Sequence, residues 1–436
     1  MPKITFMGAG STVFTKNVLG DCLQTPALAE ATIALYDIDP RRLEDSRVML
    51  DNLNANSGGK AIIEAYCGVE NRKDALRGAD YVVNAIQVGG YEPSTVIDFE
   101  IPTKYGLRQT IADTLGIGGI FRTLRTGPVM LDFARDMEEV CPAAWMLNYT
   151  NPMCMLTGIM LQGTAINMVG LCHSVQVCAP HLLRSLEIET EDLQCKIAGI
   201  NHQGWLLEIT DGGKDLYPLI KEKAAAKNAA EKHGDMVRFE MMRHFGYYVT
   251  ESSEHSAEYM PYWIKKNYPE LIERYNIPLD EYPRRCINQI AKWEKQREDL
   301  VNNKDLTHPR THEYASYIME AMETDEPYKI GGNVINNGLI TNLPPNAVVE
   351  VPCLVDRSGV TPCRVGALPE QCAALNRTNI NVQLLTIEAV LSQSKEAVYQ
   401  AALLDPHTAA EFSIDEIIAM CDEMFEAHGD MIPPMK

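Results

Sequence analysis

Lys3-Ile-Thr-Phe-Met-Gly8-Ala9-Gly10-Ser11 is the stretch that decides the fold. Residues 3–8 read as a short buried strand ending at Gly8, and a helical pattern follows to about Leu23. Glycines at 8 and 10 let the backbone turn sharply and approach a pyrophosphate. The free N–H groups and dipole of the helix N-terminus favour that anion. Ser11 then stands at the mouth of the helix. Val13 occupies the place of the third glycine in the full dinucleotide fingerprint, so the turn alone is weak evidence. A second strand strengthens it. Thr32-Ile-Ala-Leu-Tyr-Asp37 ends in an acid at the spacing expected of a carboxylate on the adenosine ribose hydroxyls. An acid there favours NAD over NADP, whose 2′-phosphate would meet like charge. The plainer alternative for Asp37 is a helix-capping acid. Asp39-Pro40 supplies an N-cap and a first-turn proline for a helix reaching about Asn56.

The alternation continues, with strands expected at 61–67, 79–86, 145–149 and 166–171 and a helix opened by Asn151-Pro152. Strands alternating with helices predict a Rossmann-type doubly wound parallel sheet, an α/β NAD-binding domain over residues 1–195. Ligands of such sheets bind at the carboxyl ends of the strands. Asn148, Asn151, Cys172 and His173 are therefore expected to converge near the nicotinamide. After Cys195 the pattern changes, and residues 196–436 are expected to form a mixed α+β domain for substrate and metal. A strand at 196–200 ends in Asn201-His202, and an apolar strand follows at 204–209. Residues 218–247 read as helical with a solvated charged face. The polar and aromatic run at 247–262 reads as a pocket wall. Short strands near 347–355 and amphipathic helices at about 383–403 and 413–428 close the chain.

The chain has 436 residues, a net charge of −20, 46% hydrophobic and 22% charged residues. That is ordinary globular composition, and its acidity excludes a basic face for nucleic acid or anionic membrane. No apolar run is long enough to span a bilayer, and the first residues lack the features of a signal peptide. A cytoplasmic location is expected. The twelve cysteines are scattered without tight spacing and read as reduced core residues. Cys172 is the exception. With His173 it lies at one strand end, as His202 does at another. A thiolate and an imidazole with open positions would suit zinc, iron, nickel, cobalt or manganese. A catalytic histidine without metal, or satisfied core residues, are equally open on residue chemistry alone.

Gly8-Ala-Gly10-Ser11, Ala112-Asp113-Thr114-Leu-Gly116-Ile-Gly118-Gly119 with Arg122 and Arg125-Thr126, Asn148-Tyr-Thr-Asn151-Pro152, Gly170-Leu-Cys172-His173 and Gly199-Ile-Asn201-His202 together form a set of motifs. That set resembles glycoside hydrolase family 4. The likeness runs in order through Thr250-Glu-Ser-Ser-Glu-His255 and Asn379-Ile-Asn-Val-Gln383 to Leu404-Asp-Pro-His-Thr-Ala409, and these last resemble the α-galactosidase branch. The resemblance implies a glycosidase dependent on NAD and a divalent metal, usually Mn2+, acting as a homodimer or homotetramer. It implies a redox-cycling mechanism, the exception to the two-carboxylate scheme. NAD takes hydride from C3 of the sugar, the resulting ketone acidifies the C2 hydrogen, and a base removes it. The aglycone leaves from C1, water adds, and the hydride returns. Residue by residue, the resemblance makes Cys172 and His202 metal ligands and Asn151 a contact to sugar hydroxyls. It makes His173 the acid for the leaving oxygen, Tyr259 the base at C2 with Tyr262 as rival, and Asp113 an acid tuning that tyrosine.

One departure bears on substrate. Members acting on phosphosugars carry arginines after the fourth strand and two residues before the base. Here those regions read Tyr91-Glu-Pro-Ser-Thr95 and Ala257. Without such guanidinium groups a 6-phosphate lacks its partner, and an unphosphorylated substrate is expected. An α-glucosidase or an α-galacturonidase is the alternative within the family, the latter needing a cationic clamp from Arg122 or Arg284–Arg285. A 2-hydroxyacid dehydrogenase is the alternative outside it.

Overall fold

Six parallel strands form the first half of the sheet: β1 (Lys3–Met7), β2 (Thr32–Asp37), β3 (Ile62–Cys67), β4 (Tyr81–Asn84), β5 (Trp145–Asn148) and β6 (Asn167–Gly170). They run in the order β3-β2-β1-β4-β5-β6, so the direction of winding reverses beside β1, where the glycine turn lies. The inner strands are short and apolar because helices cover both faces, and Ile4, Phe6, Ile33, Leu35, Val82 and Val83 are fully buried; β3, at the edge, has no buried residue. The structure, a computed structural model, describes all 436 residues.

The second half contributes β7 (Leu193–Ile200), β8 (Gln203–Asp211), β9 (Lys214–Asp215), β10 (Tyr248–Val249), β11 (Tyr328–Ile335), β12 (Val348–Asp356) and β13 (Gly359–Pro362). These strands are antiparallel to their neighbours and extend the same sheet through β6-β11-β12-β7-β8-β10, with β9 on β8 and β13 on β12. One apolar cluster of 96 buried residues runs from Ile4 to Ile432, so both halves share a core. No helix is long and apolar enough to cross a membrane.

Three expectations about helices are corrected. The segment 218–247 is two helices, Tyr217–Ala230 and Met236–Phe245, parted by Glu231-Lys-His-Gly-Asp235. The helix placed at 383–403 is Glu370–Ser392 followed by Lys395–Leu404. Gln393 turns the chain with φ of 57°, and the Ser394 side chain caps the second helix at Ala397 N–H. Asn151 caps nothing: the helix Met153–Gly163 starts from Pro152 without a side-chain cap, which leaves the Asn151 amide for other work.

Candidate active site

The glycine turn is fixed by contacts no other residue would allow. Gly8 has φ of +87°, and a Cβ there would lie 2.9 Å from the Ala85 carbonyl. A Cβ on Gly10 would lie 2.8 Å from Asp37 Oδ2. Asp37 accepts the Gly10 N–H at 2.7 Å through Oδ2 and the Asp39 N–H at 2.9 Å through Oδ1. The acid therefore holds the turn itself, and each oxygen keeps a lone pair for a ribose hydroxyl. The helix Thr12–Gln24 has no acid in its first turn, and exposed Ser11 precedes it. That positive end suits a pyrophosphate. Asp39, and not Asp37, is the capping acid, accepting from Arg41 and Arg42 N–H.

A cleft of about 430 Å³ opens beyond the carboxyl ends of β4, β5 and β6. Its walls bring together Asp113, Asn151, Cys172, His173 and His202. His202 sits just after β7 in a left-handed turn with φ of 62°. The next residue, Gln203, pins that turn: its carbonyl and side-chain oxygens each accept from Asn376 Nδ2 at 2.9 Å. The His202 Nδ1 is buried with no hydrogen-bond partner. Beside it, the ligand atoms of His202, Glu251 and His255 lie within 4.8 Å of one another. Cys172 Sγ lines the same cleft, 3.0 Å from Ser174 Oγ. The imidazole and carboxylate donors of this group fit a divalent transition metal, and the Cys172 thiol stands on the same cleft outside the 4.8 Å cluster.

The charges of this cluster follow from burial and pairing. Burial, helped by His255, lowers the His202 imidazole to about 4, so it is neutral and ready to donate a lone pair. Burial opposes charge on His255 as well, but the Glu251 and Asp113 carboxylates outweigh it and raise it to about 9. Burial pushes the Cys172 thiol up; a cation alongside would draw it down. Glu251 and His255 stood in the sequence within a polar run and a family-like motif, but neither was given a role. The signal was the density of Thr250-Glu-Ser-Ser-Glu-His255, which no spacing rule turns into a ligand set.

Asp113, its side chain 11% exposed, lies 3.7 Å from His255 Nε2 and 4.0 Å from Arg122 Nη1. Burial alone would raise its carboxyl; these two cations hold it below the usual range. Its loop is held from beneath by Glu258, whose carboxylate accepts the N–H groups of Thr110, Ile111 and Ala112. Asn151 presents a buried Oδ1 without a partner, as a residue awaiting a sugar hydroxyl would. His173 is half exposed to the cleft, with Nε2 bonded to Glu313 Oε1, and that carboxylate raises the imidazole's pKa.

The two tyrosines expected to supply the base are not on the cleft. Tyr259 is 3% exposed, and its hydroxyl donates to Thr114 Oγ1 at 3.0 Å. Burial pushes it well above its ordinary value. Tyr262 is 47% exposed and stacks on Phe245. The tyrosines that do line the cleft are Tyr149, whose hydroxyl is taken by Ala315 N–H, and Tyr282. Arg122 Nη1 donates to the Tyr282 hydroxyl at 3.0 Å. Tyr282 lies in the helix Glu281–Val301, beyond any motif that the sequence had singled out.

Comparison with known proteins fits this geometry. The sequence model described as family 4 glycosyl hydrolase matches residues 3–188, and that of the family 4 glycosyl hydrolase C-terminal domain matches residues 197–408. An α-galactosidase of Bacillus subtilis is 64% identical over 436 residues, which is 100% of both chains. The crystal structure of a candidate glucosidase of Bacillus subtilis has a TM-score of 0.87 at 26% identity, covering 97% of this chain and 99% of that one. A 6-phospho-α-glucosidase from gut microorganisms, crystallised with NAD and Mn2+, shares the fold at a TM-score of 0.82 and 21% identity, with 100% of both chains covered. With both family models matched in order along one sheet, the chain belongs to family 4 of the glycosyl hydrolases.

Proposed function

We propose that this chain is an NAD- and divalent-metal-dependent α-galactosidase acting on unphosphorylated α-galactosides. The observation that carries the reading is the cleft: a thiol, two imidazoles and a carboxylate gathered where a dinucleotide fold presents its ligand. The full-length identity to an α-galactosidase supports the sugar assignment. Gly8, Gly10, Ser11 and Asp37 hold the dinucleotide. Cys172 and His202, with Glu251 and His255, hold the metal. Bound NAD supplies a reversible hydride acceptor for the sugar, and the metal supplies a Lewis acid beside it. Asn151 orients the sugar through its free amide oxygen. His173 gives a proton to the leaving oxygen, and Asp113 steadies the positive charge of Arg122. The proton at C2 passes to the Tyr282 phenolate in this reading, which becomes a phenol, and Arg122 is what stabilises the phenolate before the transfer.

Substrate choice follows from charge. Two arginines line the cleft, and both are already paired. Arg122 faces Asp113, and Arg285 bonds Glu281 at 2.9 Å and Glu254 at 3.5 Å. Arg284 is likewise bonded to Glu281, at 2.8 Å. No cation is left over for a 6-phosphate or a uronate carboxylate. On the family resemblance we place the enzyme in the cytoplasm as a homodimer or homotetramer, with residues 1–195 binding nucleotide and 196–436 completing the substrate and metal site.

The test is an assay with 4-nitrophenyl α-galactoside on protein stripped with EDTA, with NAD and Mn2+ restored singly and together. Hydrolysis is expected only with both, and without net NADH. Turnover lacking either, or steady NADH accumulation, sinks the reading. The matching α-glucoside and α-galacturonide should be poor substrates.

A further inference from the structure

His173 is boxed by three rings. Phe14, from the helix Thr12–Gln24, lies 6.5 Å away between centroids, Tyr149 lies 5.7 Å away and Tyr314 6.4 Å away. Its Nε2 bonds the Glu313 carboxylate, while Nδ1 has no protein partner. Glu313 is itself buried, with a side chain 8% exposed. It is held through a chain of hydrogen bonds that begins in the nucleotide-binding helix. Asp21, fully buried in that helix, accepts Thr311 N–H at 2.7 Å and Thr311 Oγ1–H at 2.6 Å, and His308 Nε2 lies 2.7 Å from it. Thr311 Oγ1 in turn accepts the Glu313 N–H at 3.2 Å. On the far side, Gln176 Nε2 donates to the His312 carbonyl at 2.8 Å, tying the same segment to the helix His173–Ser185. Glu313 is thus fixed at both ends before any ligand binds.

We infer that Glu313 is a positioning residue for His173, and that Asp21 anchors it from the nucleotide helix. The inference rests on the glycosidase reading given above. The carboxylate takes the Nε2–H and so commits Nδ1 to the cleft. When the C1–O bond breaks and its electron pair goes to oxygen, the Nδ1 proton passes to that oxygen and the imidazole is left neutral as the Nε2–H tautomer. Water entering later returns a proton to Nδ1. The three rings keep the imidazole plane from swinging out of line.

Leaving-group dependence separates this from a structural role. An alkyl leaving group needs the proton, whereas 4-nitrophenolate departs without it. In the holoenzyme with NAD and Mn2+, Glu313→Gln should lower kcat on methyl α-galactoside by about 30-fold or more, within the range of general acid catalysis. On 4-nitrophenyl α-galactoside it should change kcat by less than about threefold, with both KM values held, as expected where no acid assistance is needed. Asp21→Asn should show the same selectivity in weaker form. Equal losses on the two substrates, or no loss on either, overturn the inference. Failure of the wild-type holoenzyme to hydrolyse both substrates would instead overturn the glycosidase reading. A measurement without any Glu313 variant guards against misfolding: 15N spectra of the wild-type protein, assigned with His173→Asn, should show neutral His173 as the Nε2–H tautomer. An Nδ1–H tautomer overturns the inference.

Discussion

Tyr259 and Tyr282 both touch the loop that carries Asp113, but from opposite sides. Tyr259 donates to Thr114 from the core, and the Tyr282 backbone N–H donates to the Thr110 carbonyl at 3.0 Å. A phenol becomes a base only if its oxygen reaches substrate and its anion is stabilised. Tyr282 is the better candidate: it lines the cleft, and although burial raises its phenol, the Arg122 guanidinium beside it pulls the other way. Tyr282→Phe should therefore cut the rate at which C2-deuterated sugar forms in D2O by about 100-fold, the low end for loss of a general base. Tyr259→Phe should leave incorporation nearly intact and lower stability by about 1 kcal/mol through the lost hydrogen bond to Thr114. Mass spectrometry of product formed in D2O decides it, and the reverse pattern returns the role to Tyr259. Cys172, His173 and His202 were legible as chemistry because they follow strands, where α/β sheets bind ligands. Tyr282 and Glu313 were not. They lie on helix and loop segments whose placement over the cleft depends on contacts across more than a hundred residues, such as Glu313 with His173.

At the scale of the element, the turn from β1 into the helix Thr12–Gln24 carries the clearest link between residue and function. Gly8→Ala would combine a left-handed φ with a Cβ pressed on the Ala85 carbonyl. The expected cost is about 2 kcal/mol or more, a sum of backbone strain and displaced neighbours. NAD affinity should fall with it, because the turn would open where the pyrophosphate sits. Gly58 makes the control: its φ is +104°, but nothing lies within 4 Å of a Cβ there. Gly58→Ala should show the strain alone, with NAD affinity unchanged by calorimetric titration. Equal effects of the two substitutions on NAD would show that the close approach is irrelevant. Elements of this kind were readable locally, since glycine pairs, Asp39-Pro40 and period-two runs need no distant partner. The breaks after Ala230 and Ser392 were missed because both flanks are strong helix formers. A local left-handed residue, Gln393, ends the second of these helices where no glycine announces it.

At the scale of the whole molecule, the sheet has two seams, each a single residue pair wide. β6 meets β11 only at Gly170 with Asn333, and β7 meets β12 only at Gly199 with Glu350. The sequence could not reveal this joining, because Gly170 and Asn333 are far apart in the chain and neither strand's pattern names its partner. Both seams lie just before the segments that carry Cys172 and His202. One buried carboxylate spans them: Glu350 Oε1 accepts from Asn333 Nδ2 at 3.0 Å and Asn201 Nδ2 at 3.4 Å, and Asn333 Nδ2 also reaches the Gly170 carbonyl at 3.2 Å. Its Oε2 is buried without a partner. Burial pushes this carboxyl up to about 8, against the pull of the two amides. The folded protein therefore keeps a proton on Glu350 that the unfolded chain releases above its ordinary carboxylate pKa. Below that value both states are protonated and Glu350 costs nothing. As pH rises towards 8 the unfolded state gains free energy of ionisation that the folded state forgoes, so stability falls. Above 8 the penalty is complete and constant. Glu350→Gln keeps an acceptor at the Oε1 position and cannot ionise. Its advantage over wild type should grow between pH 5 and pH 8, by on the order of 2–4 kcal/mol if the shift is expressed in full. Urea midpoints of both proteins at pH 5, 6.5 and 8, with EDTA present to exclude metal, measure it. A gap that stays constant across the three pH values would mean that Glu350 ionises in the fold as readily as outside it. The seam would then hold as an ion what it is expected to hold as a neutral acid.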